Sequence, residues 1–172
     1  MEKKHVLLIG ILAGHRCQRI HVIKATDIRV LGDRCVIPIY DPIKQTRPGH
    51  HLKPLEFPMY TKDPKLCVVE HLKHYLCKTS VHRKSPQLIL SYCKPYHPVS
   101  KDTIARWCKH MLELAGININ LYSAHSSRSA AASYAKSKGV PLKTICATAG
   151  WSTERTFARF HDKEIEEDIP LI

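Results

Sequence analysis

No apolar run in this chain approaches the roughly 18 residues that a membrane span requires. The most apolar stretch, Val6 to Ala13, runs directly into His15-Arg16. Lys3 and Lys4 give it the opening of a secretory signal, but no small-residue cleavage site follows, so none is expected. Nor is there a Cys-x-x-Cys pair. The seven cysteines and 12 histidines offer no ligand quartet with finger-like spacing, only the isolated pairs Cys93 with His97 and Cys108 with His110. A structural zinc is therefore not expected. An odd cysteine count in a basic chain without a signal suits a reducing compartment, with most thiols serving as small core residues. Internal repeats and low-complexity tracts are lacking as well. Aromatics are sparse, at 7%, and none is interleaved with basic residues as an RNA-stacking motif would be.

Acidic side chains are the most unevenly distributed shortage. There are 15, against 27 lysines and arginines, and five of the 15 (Asp162, Glu164, Glu166, Glu167, Asp168) lie in the last eleven residues. Residues 1–161 thus hold 26 basic and 10 acidic side chains, an excess of 16 positive charges. Such a domain attracts polyanions, and duplex nucleic acid is the first candidate. The length, 172 residues, suits one domain with its own core, and a hydrophobic content of 44% is that of a globular protein. The expected division is a domain over 1–161 and an acidic, solvated tail over 162–172.

Periodicity predicts a mostly α domain with a small antiparallel sheet. Residues 4–14 read as an apolar helix, continuing or restarting from Arg16 to Ile23. Asp27–Leu31 and Cys35–Tyr40 read as strands joined at Gly32-Asp33, and Leu55–Tyr60 as a third strand that Pro58 confines to an edge. Lys44–Lys53 forms a polar, basic loop. From Asp63 a helix is expected with Leu66, Val69, Leu72 and Leu76 on one face, and Leu88–Tyr92 reads as extended. Ser100 caps a helix that Gly116 ends. Helices over 124–138, 141–148 and 152–161 follow, the first two closed by Gly139 and Gly150, the last capped by Ser152.

His125-Ser126-Ser127-Arg128 is the one His-x-x-Arg in the chain. At helical spacing, i and i+3 share a face, so an imidazole and a guanidinium can converge on one anion. Ala130, Ala131, Ala132 and Ala135 keep the same helix thin enough for close packing. Alone, such a pair is commonplace on protein surfaces. The C-terminal run makes it specific: Ala149-Gly150-Trp151-Ser152, then Thr156-Phe157-Ala158-Arg159-Phe160-His161. From Ser123 to Lys163 the chain resembles the catalytic segment of tyrosine recombinases, the phage-integrase family. Its wording is similar to enzymes of DIRS-type retrotransposons, and the resemblance reaches back to residue 5.

The resemblance implies the tyrosine recombinase catalytic-domain fold and a set of site residues. Arg16, at the end of the first apolar helix, matches the family's first arginine, and Lys44 matches its loop lysine. His125, Arg128 and Trp151 match the remaining conserved places. Family chemistry cleaves and rejoins DNA through a covalent protein–DNA intermediate. Arg16 and Arg128 would then neutralise the non-bridging oxygens of a pentacoordinate phosphorus. Lys44 would protonate the leaving deoxyribose oxygen, His125 would assist proton transfer at the nucleophile, and the Trp151 N–H would bond a phosphate oxygen. Arg47, Lys143 and Arg155 extend the expected DNA-contacting set. No metal or other cofactor is implied, because the covalent link stores the bond energy. Implied partners are double-stranded DNA and further recombinase subunits, with neither membrane nor small-molecule substrate. The expected location is intracellular, and nuclear for a eukaryotic mobile element.

The sequence departs from the pattern at its centre. The family's nucleophilic tyrosine lies nine or ten residues after the Trp151 place, where this chain has Phe160 and His161, and no tyrosine follows Tyr134. His161 takes the slot in the retrotransposon-like wording. Arg19 stands where an acidic residue often follows the first arginine, and the family's N-terminal DNA-clamping domain has no counterpart in these residues. The expected function is a recombinase catalytic domain in a degenerate copy without its nucleophile. The alternative is a DNA-binding module of the same fold that does not cleave.

Overall fold

The computed structural model describes residues 8–11, 16–43, 53–123, 125–151 and 153–163. Residues 8–11 are helical, and α1 (Cys17–His21) restarts after Arg16, whose extended backbone makes it the N-cap. Strands β1 (Arg29–Val30), β2 (Arg34–Ile37) and β3 (Leu55–Pro58) form an antiparallel sheet in the order β1-β2-β3. Helices α2 (Val68–Thr79), α3 (Lys101–Leu114), α4 (Ser126–Ser137), α5 (Leu142–Ala149) and α6 (Glu154–Phe160) complete the described chain. This is the mostly α architecture with a small antiparallel sheet that the periodicity predicts.

The sheet is shorter than its sequence pattern. Residues Ala25–Asp27 turn into a 3-10 segment, held by Asp27 N–H to the Lys24 carbonyl, so β1 starts only at Arg29. Strand β2 stops at Ile37, where Pro38 follows without an N–H to donate. Its register pairs Cys35 with Phe57 and Ile37 with Leu55, and all four side chains are buried on one face. Pro58 lies in β3, which pairs only with β2, as an edge position requires.

The helix expected from Asp63 begins later. The Asp63 carboxylate accepts the Lys65 N–H at 2.8 Å and caps a 3-10 turn over Pro64–Leu66. Leu66 is consequently 48% exposed rather than on the buried face, and α2 buries Val68, Val69, Leu72 and Tyr75. Residues 88–92 make no ladder, only an isolated bridge between Leu90 and Pro98. Ser100 caps α3 as expected, its hydroxyl accepting the Thr103 N–H at 3.2 Å. Gly150, at φ 71°, closes α5 in the left-handed conformation that glycine adopts without a Cβ clash. The cap of α6 is Thr153, which accepts the Thr156 N–H, and Ser152 lies outside the described residues.

Two hydrophobic cores result. The first joins the sheet, α1, α2 and α3 around Ile20, Ile37, Phe57, Leu72 and Ile104. The second is smaller and belongs to the last three helices: Ala132, Ile145, Cys146, Ala149, Trp151 and Phe157.

Candidate functional site

Arg128 sits one turn into α4 and is only 2% exposed. Its Nη2 donates to the Ala149 carbonyl at 2.9 Å, at the C-terminal end of α5 where carbonyls lack helical partners. Its Nε and Nη1 are buried without a hydrogen-bond partner among the described residues. The guanidinium lies 4.5 Å from the Trp151 ring centroid. Burial, followed by the charges of Arg16 and Arg19, pushes it down to about 9.

Trp151 is placed by the turn at Gly150, which lets the Trp151 N–H return to the Cys146 carbonyl at 2.9 Å. Its indole Nε1 is likewise buried and unpartnered. The ring packs on Phe157 and stacks on His161, with centroids 4.3 Å apart and planes 19° apart.

His161 is the residue that ends α6, its N–H donating to the Phe157 carbonyl at 2.8 Å. Its side chain is buried, whereas that of Phe160 is 57% exposed. Nδ1 is 2.8 Å from the Ser129 hydroxyl, and the His161 carbonyl accepts the Ser133 hydroxyl at 2.8 Å. The Lys163 N–H donates to that same Ser133 oxygen. Burial first, then the charges of Arg128, His125, Arg16 and Lys163, pushes the imidazole down to about 4, so it is neutral at pH 7.

His125 is the N-cap of α4 rather than a residue inside the helix, and its carbonyl accepts the Arg128 N–H at 3.2 Å. Its ring centroid is 5.3 Å from that of His161. It keeps solvent exposure, yet partial burial and the charges of Arg128 and Arg16 lower its pKa below the usual histidine range. Arg16 reaches this group from the other core: exposed at the start of α1, its charge acts on His125, Arg128 and His161 alike.

The structure thus brings together Arg16, His125, Arg128, Trp151 and His161. Lys44 and Arg47 lie outside the described residues. Lys143 and Arg155 stand exposed on α5 and α6, and neither is among the charges acting on the cluster. Three participants escape the motif reading. Ser129 and Ser133 hold His161 from within α4, and their spacing from His125, four and eight residues, was the available signal. Arg19 is the third. It is buried, its Nη2 donates to the Lys53 carbonyl, and it adds positive potential at Arg128.

One buried and one exposed guanidinium, two imidazoles and a buried indole N–H, with no carboxylate among them, are arranged for an anion. Guanidinium and indole donors in a water-poor position gain most from an oxyanion with several acceptors, such as a phosphate diester.

Solved structures with this arrangement of elements decide the fold. XerA recombinase superposes with a TM-score of 0.67 at 16% identity over 96% of this chain and 57% of its own. The fold is that of the tyrosine recombinase catalytic domain. XerH recombinase bound to its difH substrate matches with a TM-score of 0.65 at 16% identity, over 90% of this chain and 40% of its own. A lambda integrase dimer bound to a COC′ core site matches at 0.60 and 13% identity, over 98% and 45%. This chain therefore spans roughly half the length of these recombinases or less, and the likeness is one of fold. No protein-family model and no curated protein matches the sequence.

Proposed function

We propose that this recombinase-fold domain binds duplex DNA by seating a backbone phosphate against Arg16, Arg128 and Trp151, and that it does so without cutting the strand. The observation that carries the reading is that buried Arg128 Nε and Nη1 and Trp151 Nε1 have no hydrogen-bond partner among the described residues. Orphaned buried donors cost about 1–3 kcal/mol each, more when charged, and a bound phosphate removes that cost. The excess of 16 positive charges over residues 1–161 supports a nucleic-acid partner.

The absence of cutting rests on His161. In the retrotransposon-like wording this is the slot of the nucleophilic tyrosine. Here the side chain is buried, stacked on Trp151 and tied through Nδ1 to Ser129. An attacking group must approach phosphorus in line with the leaving oxygen, and a side chain pinned at both ring and backbone lacks that freedom. By the same resemblance Lys44 occupies the place of the family's proton donor and adds a cation at the phosphate, Arg47, Lys143 and Arg155 contact the flanking backbone, and other recombinase subunits join the complex. The protein is a copy derived from a mobile element, acting inside the cell and, in a eukaryote, in the nucleus.

Duplex binding measured against salt tests the first half. Affinity should fall steeply with salt, and Arg128→Ala should weaken it and flatten the logarithmic slope by about one unit. Salt-independent binding, or none at low ionic strength, refutes a DNA partner. Nicked suicide substrates test the second half. The natural chain should give no covalent adduct, His161→Tyr a weak one, and His161→Tyr with Arg128→Ala none. An acid-labile adduct from the natural chain, mapped to His161, overturns the reading and establishes a histidine nucleophile.

A further inference from the structure

A cavity of about 190 Å³ opens between the end of α2 and the turn over residues 91–96, and no residue of the phosphate cluster lines it. Its inner wall is apolar. Leu90 and the Tyr75 ring are buried there, and the Leu90 N–H donates to the Tyr75 hydroxyl at 3.0 Å. One side wall is a preformed π surface, Tyr96 stacked on His82 with ring centroids 4.5 Å apart and planes 23° apart. Tyr96 stands there at φ 61°, the one non-glycine residue with a positive φ among the described residues. That conformation is strained for a tyrosine, and the turn enforces it through the Tyr96 N–H, which donates to the Cys93 carbonyl at 2.8 Å. Strain of this kind collects where a binding surface must be held in place.

The polar atoms of the cavity match the edge of a heterocycle. The Ser91 hydroxyl accepts the Cys93 N–H at 3.2 Å and keeps its own hydrogen to donate. The Thr79 hydroxyl donates to the Tyr75 carbonyl at 2.8 Å and accepts an Arg83 N–H at 2.7 Å, which leaves its oxygen one lone pair to offer. A plain aromatic ring would leave both groups unmet. At the mouth stand the exposed Lys78 and His82, and no carboxylate lines the cavity among the described residues. Lys78 enters none of the ion pairs of the described residues. An ammonium group beside an imidazole N–H suits a phosphate.

We propose that this cavity binds a free adenine nucleotide, with the base stacked on Tyr96, its edge at Ser91 and Thr79, and its phosphate at Lys78 and His82. The volume lies below the roughly 300–1,000 Å³ of sites for drug-sized ligands, so it takes one base, with sugar and phosphate outside at the mouth. Stacking on an aromatic ring is open to every base and does not choose among them. The hydroxyls do. Adenine presents an acceptor, N7, beside a donor, the N6 amine, and so meets the Ser91 donor and the Thr79 acceptor together. Guanine presents two acceptors on that edge and leaves Thr79 unmet.

The site does not rest on the DNA-binding reading, and equilibrium dialysis of the full chain against adenosine monophosphate tests it. Saturable binding of one equivalent is expected, with guanosine monophosphate several-fold weaker. Tyr96→Gly removes the ring while glycine accepts φ 61° freely, so the fold is kept and affinity falls at least tenfold. Lys78→Met, at an exposed position, should weaken adenosine monophosphate several-fold and leave uncharged adenosine unchanged. Arg128→Ala should leave nucleotide binding unaltered, because the phosphate cluster is a separate site. No binding at millimolar nucleotide overturns the proposal, as does equal affinity for the guanine nucleotide. Binding that survives Tyr96→Gly and is lost in Arg128→Ala also overturns it, by placing the nucleotide at the phosphate cluster. A chain that binds the nucleotide at Tyr96 and binds no duplex refutes the DNA reading alone and leaves this site standing.

Discussion

The two cores are built from different materials. The first is apolar throughout, aliphatic and aromatic side chains with three thiols, and Ile23, Ile37, Leu72, Leu88 and Ile104 are each at most 1% exposed. The second holds six buried apolar residues, and packed around them are Arg128, Ser129, Ser133 and His161, all buried too. Burial of apolar area stabilises the first at about 25 cal/mol per Å². In the second, part of that gain is offset by a desolvated guanidinium and by donors left unpaired. The difference teaches that the C-terminal helices carry buried polar groups at some expense of their own stability, as the proposed phosphate site requires, while the N-terminal core supplies apolar support. Sites that hold unsatisfied polar groups need such support.

Substitutions that separate the two cores sharpen this contrast. The largest effect is expected in the first core, where Leu72→Ala should destabilise the protein by about 2–5 kcal/mol in denaturant unfolding, through lost transfer energy and a residual cavity. A loss below 1 kcal/mol would mean that this core is not the main support.

The pH dependence of stability should come from the second core. His161 titrates near 6.5 unfolded and near 4 folded, so the folded state resists protonation. Its contribution is complete well above pH 6.5 and is lost as pH falls from 6.5 towards 4, by about 3 kcal/mol in all. His125, lowered in the same direction, adds to the loss. Unfolding of the natural chain compared with His161→Gln across that window should show a shallower fall in the variant. Parallel curves would place the titration elsewhere.

Ser129→Ala comes next, with an expected loss of about 1–2 kcal/mol from leaving the buried His161 Nδ1 without its partner. The same substitution on the exposed face of α4, at Ser137, should cost less than about 0.5 kcal/mol.

The smallest expected change in stability is also the most discriminating. Arg128→Met should leave unfolding energy unaltered or raise it by about 1 kcal/mol, because the buried charge and its unpaired nitrogens disappear. Duplex affinity should fall at least tenfold in the same variant. A protein that loses stability as Leu72→Ala does would show Arg128 to be a structural support rather than a ligand-binding group.

Much of the fold is legible in the sequence because its signals are local. Ser100, Gly139 and Gly150 end or begin helices where a hydroxyl acceptor or a left-handed residue is needed, and the alternation in residues 34–37 and 55–58 sets the sheet register. The errors are local too. Asp63 competes for the first turn and delays α2, Thr153 caps α6, and a 3-10 turn consumes the start of β1. Each is a choice between neighbouring caps or turns of nearly equal energy, which composition does not resolve.

For the candidate site, the sequence by itself determined the inventory: His125 and Arg128 one helical turn apart, Trp151 after a glycine, Arg16 after an apolar segment, and a positive charge that needs an anionic partner. The retrotransposon-like wording put His161 in the nucleophile slot, but the sequence did not say which of His161 and its neighbour Phe160 would be buried. Tertiary structure decided that. Where α6 ends, one of the two side chains must face the core and the other solvent, and the hydroxyls of Ser129 and Ser133 meet His161 on the inner side while Phe160 remains outside. Tertiary structure likewise brought Arg16 from the first core to Arg128 in the second. Burial and Coulomb interaction both depend on position in space rather than along the chain, so only the packed fold could hold both histidines below the usual range.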